Sequence, residues 1–233
     1  SLAWPLLAFG ALLVFNFFFT PNFFHIEIRD GRLFGSLIDV MNRGAPVVLL
    51  AMGMTLVIAT GGIDLSVGAV MAITGAMAAG LIARPAYSML SAVDMHGVIP
   101  LIIVAALLVS VVAGAWNGLL VSRLDIQPIV ATLILMVAGR GIAQMITNGQ
   151  IITFENPAFQ WFGSGFFLHL PVPIFIALGV MAVTAIATRA TALGLFIEAV
   201  GNNPTASYYA GISARRVKMI AYTFCGLCSG IAG

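Results

Sequence analysis

The residues of this chain best suited to chemistry are few. The densest group is Thr60-Gly61-Gly62-Ile63-Asp64-Leu65-Ser66-Val67-Gly68, where a carboxylate and two adjacent glycines interrupt long apolar sequence. A charged aspartate on an unbroken helix at lipid depth costs about 2.5–3.5 kcal/mol on insertion scales, so Asp64 must face protein, a polar cavity or a membrane boundary. Gly61 and Gly62 are placed to end one helix. Asp64 is placed to cap the next by accepting from the amides of Ser66 or Val67, with Gly68 in the turn that follows. The helix dipole adds to that attraction. Two readings stand: a fixed anion beside broken backbone that lines a solute path, and a capped helix hairpin with no solute contact.

The remaining polar groups within apolar runs suit a neutral, hydrogen-bonding solute. Asn117 follows Trp116, and Thr132, Arg140 and Gln144 recur at multiples of four, which predicts one shared helix face. Such side chains donate and accept hydrogen bonds, and an indole offers a face to the apolar side of a sugar ring. Polar contacts between helices are the alternative role for Asn117 and Gln144. Arg140 at mid-span needs an acid, and a buried Arg140–Asp64 pair is the expected solution. Catalytic, cofactor and metal sets are absent from the sequence: His25, His96 and His169 are far apart, and Cys225 and Cys228 lie in an apolar run as buried hydrophobes. There is no G-x-x-x-x-G-K-[ST], and the only lysine, Lys218, precedes Met219, so any ATP and its magnesium belong to another subunit.

The elements that hold these residues follow from composition. Of 233 residues, 61% are hydrophobic and 8% charged, against about 25% charged in soluble domains. This is an all-α, polytopic membrane protein. A net charge of +2 and the lack of a long basic tract exclude nucleic acid as a partner. Apolar runs extend over Leu2 to Thr20, Ala45 to Thr60, Leu65 to Ala83, Ile99 to Ser122, Pro128 to Thr147 and Leu170 to Thr188, and another begins near Met219. They predict about seven transmembrane helices in one domain spanning 1–233. The first run lacks a basic n-region and a cleavage site, so it is read as a membrane helix. The last run stops at Gly233 without a polar flank, and the chain is expected to be C-terminally incomplete. Small residues spaced by four (Ala72, Ala76 and Gly80; Gly114 and Gly118; Gly226 and Gly230) predict close helix crossings.

The segment 189–218 carries Arg189, Arg215, Arg216 and Lys218 and is expected on the cytoplasmic side. The same count puts Arg29, Arg32 and Arg43 outside, against the positive-inside tendency. Either 21–44 lies in the interface as an amphipathic element, or the runs around Gly61-Gly62 do not make two full crossings. Phe154, Phe159, Trp161, Phe162, Phe166 and Phe167 predict an outer interfacial helix, which anchors in lipid or docks an external partner. Within 189–218, Asn203-Pro204 marks a helix start and Gly211 its end. Such a bounded helix is more than a connector requires, and it suits docking of a cytoplasmic protein.

Taken together, Gly61-Gly62-Ile-Asp64-Leu-Ser66-Val-Gly68 and Glu198-Ala199-Val-Gly201-Asn-Asn203-Pro204-x-Ala206-x-x-x-Ala210-Gly211-Ile212 resemble the permease subunits of monosaccharide ATP-binding cassette importers, the ribose, xylose, arabinose and galactose type. The stretches Asp30-Gly31-Arg-Leu-Phe-Gly35, Gly53 to Gly62 and Ala131 to Gly141 look closest to the galactofuranose branch of that family. The resemblance runs nearly end to end. It implies permeases of about ten helices paired as a homodimer or pseudo-dimer in the bacterial inner membrane. It also implies ATPase subunits below, a periplasmic sugar-binding protein above, surrounding membrane lipid and a monosaccharide cargo moved by alternating access. Residues Glu198, Ala199, Gly201, Asn203, Ala206, Gly211 and Ile212 would form the segment seated in the ATPase. Ser207 stands where the family usually has alanine, beside Tyr208 and Tyr209. The rival reading is an ion- or proton-coupled secondary transporter, for which only Asp64 and Arg140 are charged within the spans.

Overall fold

Apolar runs punctuated by glycine, proline and asparagine fold into helices in the computed structural model, which describes residues 3–21, 23–29, 32–83 and 95–233, with backbone alone for 95–97. Leu2, Asp30, Gly31 and the His96 side chain, named above, lie outside these. Helix α1 (Ala3–Phe19) leads to a hairpin of β1 (Glu27–Arg29) and β2 (Arg32–Phe34), in which Ile28 pairs with Leu33. Then come α2 (Ser36–Ala59), α3 (Val67–Ile82), α4 (Met95–Ser122) and α5 (Pro128–Ile146). A short α6 (Pro157–Ser164) and a hairpin of β3 (Phe166–Phe167) and β4 (Leu170–Pro171) precede α7 (Val172–Arg189), α8 (Ala192–Asn202), α9 (Pro204–Tyr209) and α10 (Ala214–Ala232). Among the described residues, four segments are long and apolar enough to cross a membrane: Ser36–Ala59, Val98–Ser122, Pro128–Ile146 and Val172–Arg189. The protein is thus a polytopic helical membrane protein.

Two helices begin well before their apolar runs. Helix α2 starts at Ser36, ahead of Ala45, with Asp39 in its first turn, where a carboxylate favours the helix dipole. Helix α10 starts at Ala214, ahead of Met219, and takes Arg215, Arg216 and Lys218 into its opening turns. Hydropathy marks the lipid-buried length of a helix, whereas backbone hydrogen bonding continues past it.

Helix α10 is the centre of the bundle, packed chiefly on α4 and α2 and also touching α3 and α8. Helices α2 and α3 make few contacts with each other; α3 packs on α5 and α4, and α2 on α7. The α4–α10 crossing depends on missing side chains. A Cβ at Gly226 would lie 2.7 Å from the Gly114 Cα, and one at Gly114 would lie 2.6 Å from the Tyr222 carbonyl oxygen. In lipid, helices gain no hydrophobic drive to associate, so this backbone approach supplies the packing. Similarly, a Cβ at Gly139 of α5 would lie 3.0 Å from that of Ala69 on α3. Replacement of Gly226 by valine is expected to push α4 and α10 apart at a cost of about 1–3 kcal/mol, seen as a lower unfolding midpoint in detergent. An unchanged midpoint would contradict the crossing. Cys225 and Cys228 are free, buried thiols on the α10 face that meets Gly53.

The described connectors gather into two ends. At one, the Leu33 amide donates to the His169 carbonyl at 2.9 Å, the Phe34 and Phe166 rings lie 5.8 Å apart, and the Arg32 guanidinium sits 5.0 Å over the Phe166 ring. The segment read as an amphipathic element is therefore partly a β-hairpin, and part of its basic charge is absorbed by an aromatic face. The opposite end holds the connectors 60–66 and 123–127 together with α8 and α9: Asp125 lines a cavity with Pro204 and Tyr208 there.

Candidate functional site

Asp64 is 2% exposed, and its Oδ1 accepts from the Ser66 amide at 2.9 Å and the Ser66 hydroxyl at 2.6 Å. Asn117 Nδ2 donates to Ser66 Oγ at 2.7 Å and reaches Asp64 Oδ1 at 3.4 Å. The Ser66 hydroxyl gives its one hydrogen to Asp64, so it must accept from Asn117, which fixes the orientation of that amide. The carboxylate thereby ties α4 to the connector between α2 and α3. It bonds the turn just ahead of α3 rather than the Val67 amide.

The two glycines serve different ends. Gly61 adopts φ 78°, a left-handed conformation closing α2, whereas Gly62 leaves room for a neighbour: a Cβ there would lie 2.5 Å from the Tyr222 hydroxyl. That hydroxyl donates to the Ile63 carbonyl at 3.3 Å. Tyr222, wholly buried, was not singled out in the sequence, although a tyrosine inside an apolar run must find a partner for its O–H. Nothing lies within 4 Å of a Cβ built on Gly68.

The segment 189–218 holds two short helices, of which the sequence marked only the second. The Thr191 hydroxyl caps α8 by accepting from the Leu193 amide at 3.2 Å. The Asn203 side chain caps α9 by accepting from the Ala206 amide at 3.0 Å, Pro204 follows at the first helical position, and the Asn203 amide closes back on the Ala199 carbonyl at 3.0 Å. Gly211 at φ 82° ends the helix, and the Ile212 amide returns to the Ser207 carbonyl at 2.9 Å. Ser207 is buried, and its hydroxyl donates to the Asn203 carbonyl at 2.9 Å. Replacement of Asn203 by alanine is expected to cost about 1 kcal/mol locally, read as faster amide exchange at Ala206 and Ser207 with slow exchange in α10 unchanged.

Glu198 is exposed, whereas Ile197 and Val200 are buried in a cluster with Val57 of α2 and Tyr222 of α10. Gly201 presents its bare Cα to the Ala59 carbonyl, which a Cβ would overlap, and such a Cβ would stand 3.7 Å from the Thr60 Cα. The second motif is therefore in contact with the end of α2, just ahead of the first. Helix α8 rests on the last turn of α2, immediately before the Gly61-Gly62 break.

The expected solute-path set is not assembled in this chain. Trp116 is 53% exposed while Asn117 is fully buried, so they occupy different faces of α4. Thr132 is buried, its hydroxyl bonded to the Pro128 carbonyl at 2.9 Å, whereas Arg140 and Gln144 are exposed. Four-residue steps overshoot a helical turn by about 40° each, so the face turns through about 120° from Thr132 to Gln144. The Arg140–Asp64 pair does not form: Ser66 and Asn117 hold Asp64, and the only ion pair found among the described residues joins His25 and Glu27. Asp64 is also not among the residues that line the cavity holding Asp125, Pro204 and Tyr208.

Two adjoining cavities of about 510 and 290 Å³ open instead near α6, sharing the Phe154, Phe159 and Phe162 rings. Asn42, Gln160 and Ser164 line the first and Thr74 the second. The Asn42 Oδ1 is buried without a hydrogen-bond partner. Aromatic faces with neutral hydrogen-bonding groups are the lining expected for a sugar. The aromatic run that pointed to lipid or an external partner thus also walls a largely apolar cavity with a few hydrogen-bonding groups.

A family model described as branched-chain amino acid transport system / permease component matches residues 36–233. Over 99% of its length the chain is 52% identical to the galactofuranose transporter permease protein YtfT of Escherichia coli (strain K12), covering 66% of that protein. It is 37% identical to the fructose import permease protein FruF of Bifidobacterium longum (strain NCC 2705), over 100% of the chain and 64% of the relative. Identity to the ribose import permease protein RbsC of Escherichia coli (strain K12) is 34%, over 92% of the chain and 62% of the relative. The chain spans just under two thirds of these relatives. No solved structure matches it.

Proposed function

Because the chain belongs to the branched-chain amino acid transport system / permease component family, we propose that it is the transmembrane permease subunit of an ATP-binding cassette importer for a monosaccharide, galactofuranose foremost. The observation that carries this reading is the 52% identity, over 99% of this chain, to a galactofuranose permease. Relatives named for fructose and ribose support the sugar class over an amino acid. In this reading the subunit makes and breaks no covalent bond; ATP and magnesium act on a partner ATPase.

The geometry supplies a route for coupling. ATPase subunits would grip α8 and α9 from the cytoplasm, where Leu195, Tyr208 and Tyr209 are 66%, 74% and 84% exposed. Movement of this pair would pass through the Gly201–Ala59 contact to the end of α2, and the break held by Asp64, Ser66 and Asn117 would let α2 and α3 shift about a fixed point. The aromatic end would face the periplasm and receive a sugar-binding protein. Its cavities would take the sugar, and a second permease copy would complete the path. Helices α1, α3 and α10, apolar but shorter or basic at one end, would bring the crossings to about seven.

The test is uptake of labelled galactofuranose by inner-membrane vesicles carrying the assembled transporter and its binding protein. ATP-dependent accumulation, competed by excess unlabelled galactofuranose but not by leucine, is expected. Uptake driven by a proton gradient without the ATPase would replace this reading with the secondary transporter.

A further inference from the structure

Helix α10 begins against its own dipole. Its opening turns hold Arg215, Arg216 and Lys218, no acid stands in the first turn, and the Ser213 side chain makes no capping bond. A helix N-terminus carries partial positive charge, so these cations raise a potential that only an anion relieves. Arg123, just past α4, joins them: with Ser213, Arg215 and Arg216 it lines a cavity of about 420 Å³. A second cavity of about 530 Å³ shares Ser213 and Arg215 and adds Lys218, Ser122 and Asp125. Four cations face one carboxylate, and no ion pair joins any of them among the described residues.

Ser122 is an independent sign of a ligand. It is 2% exposed, yet its hydroxyl has no hydrogen-bond partner. Buried helical hydroxyls elsewhere in the chain bond the carbonyl four residues back, as Thr184 and Ser229 do. The Ser122 hydroxyl does not, and Ser122 is one of the residues that line the cavity beside Arg215 and Lys218. A buried donor left unpaired is costly, and an acceptor in that cavity removes the cost.

We propose that these adjoining cavities hold a phosphate-bearing anion, the headgroup of an anionic phospholipid from the adjacent leaflet. Ser122 and the first amides of α10 donate to it, and Arg215 and Lys218 neutralise it. A lipid source follows from what lies beside the cations. Met219 and Ile220 line the first cavity, and Ile220 is 47% exposed, so the basic site continues onto apolar helix surface along which an acyl chain lies. The inference is independent of the transported sugar.

Delipidated transporter, purified with its ATPase in neutral detergent, is titrated with phosphatidylglycerol, phosphatidylcholine or inorganic phosphate, and bound lipid is counted by native mass spectrometry. Phosphatidylglycerol is expected to bind in preference to phosphatidylcholine. The double change Arg215→Gln and Lys218→Gln should weaken it about 30-fold, and Ser122→Ala about fivefold, while Thr184→Ala leaves it unchanged. Ser122→Ala removes one unbonded hydroxyl, so it carries the test should the double variant fail to fold. Undiminished binding in these variants overturns the site. Inorganic phosphate competing as well as lipid at equal phosphate concentration overturns the lipid assignment. Loss of the ATPase from the double variant with lipid binding intact assigns the cations to an acidic protein surface and also overturns the proposal.

Discussion

Alanine at Gly201 is expected to lower sugar uptake by at least about tenfold while leaving the protein folded and inserted. The added Cβ would overlap the Ala59 carbonyl, which is backbone and cannot swing aside as the end of a side chain would. Relief requires α8 to lift from α2 or the last turn of α2 to bend, at a strain of about 1–3 kcal/mol. Either movement displaces the contact through which α8 meets the end of α2 and on which the proposed coupling route depends. The signature is uncoupling: ATP hydrolysis continues while uptake falls. Gly179→Ala is the control, because nothing lies within 4 Å of a Cβ built there. Normal uptake by the Gly201 variant would remove this contact from the coupling route.

Asp64→Ala should be the most destabilising single change at the site, at about 3 kcal/mol. It strips the acceptor from the Ser66 amide and hydroxyl and from the Asn117 amide, all at positions closed to solvent. The Asn117 Oδ1 already lacks a partner, and turning that amide to serve Ser66 would leave its nitrogen unpaired instead. Asp64→Asn keeps an acceptor of the same reach and is expected to cost about 1 kcal/mol. Denaturation midpoints in detergent should therefore rank wild type above Asp64→Asn above Asp64→Ala. In a double-mutant cycle, the Asp64→Ala and Asn117→Leu effects should add to less than their sum, since both act on one network. Equal midpoints for the Asn and Ala variants would mean that the hydrogen bonds to Oδ1 contribute nothing.

Local features were legible in sequence wherever one residue type answers one backbone requirement. Asn203-Pro204 and Gly211 marked the ends of α9, and Gly61 marked the end of α2, because side-chain caps and left-handed turns depend on near neighbours alone. The small residues at Gly114, Gly226 and Gly230 signalled a tight crossing, since close backbone approach in lipid admits little else. Side-chain direction was less legible. Spacing by four gathered Thr132, Arg140 and Gln144 onto one face, but the helical period carries them apart, and the packing of α3 on α5 buries only Thr132.

Composition and apolar run length by themselves determined that this is a polytopic helical membrane protein, because lipid imposes its rule on every span separately. They also established that Asp64 must be sheltered and that its glycines break the helix. Tertiary structure alone decided who shelters it and to what end: Ser66 and Asn117 in place of Arg140, Tyr222 against Gly62, and Gly201 resting on Ala59. Asn117 and Tyr222 reach the break from α4 and α10, and Gly201 reaches it from α8, far along the chain. The physical reason is that a hydrogen bond or a close contact depends on where two helices cross, and no periodicity within either helix records that crossing.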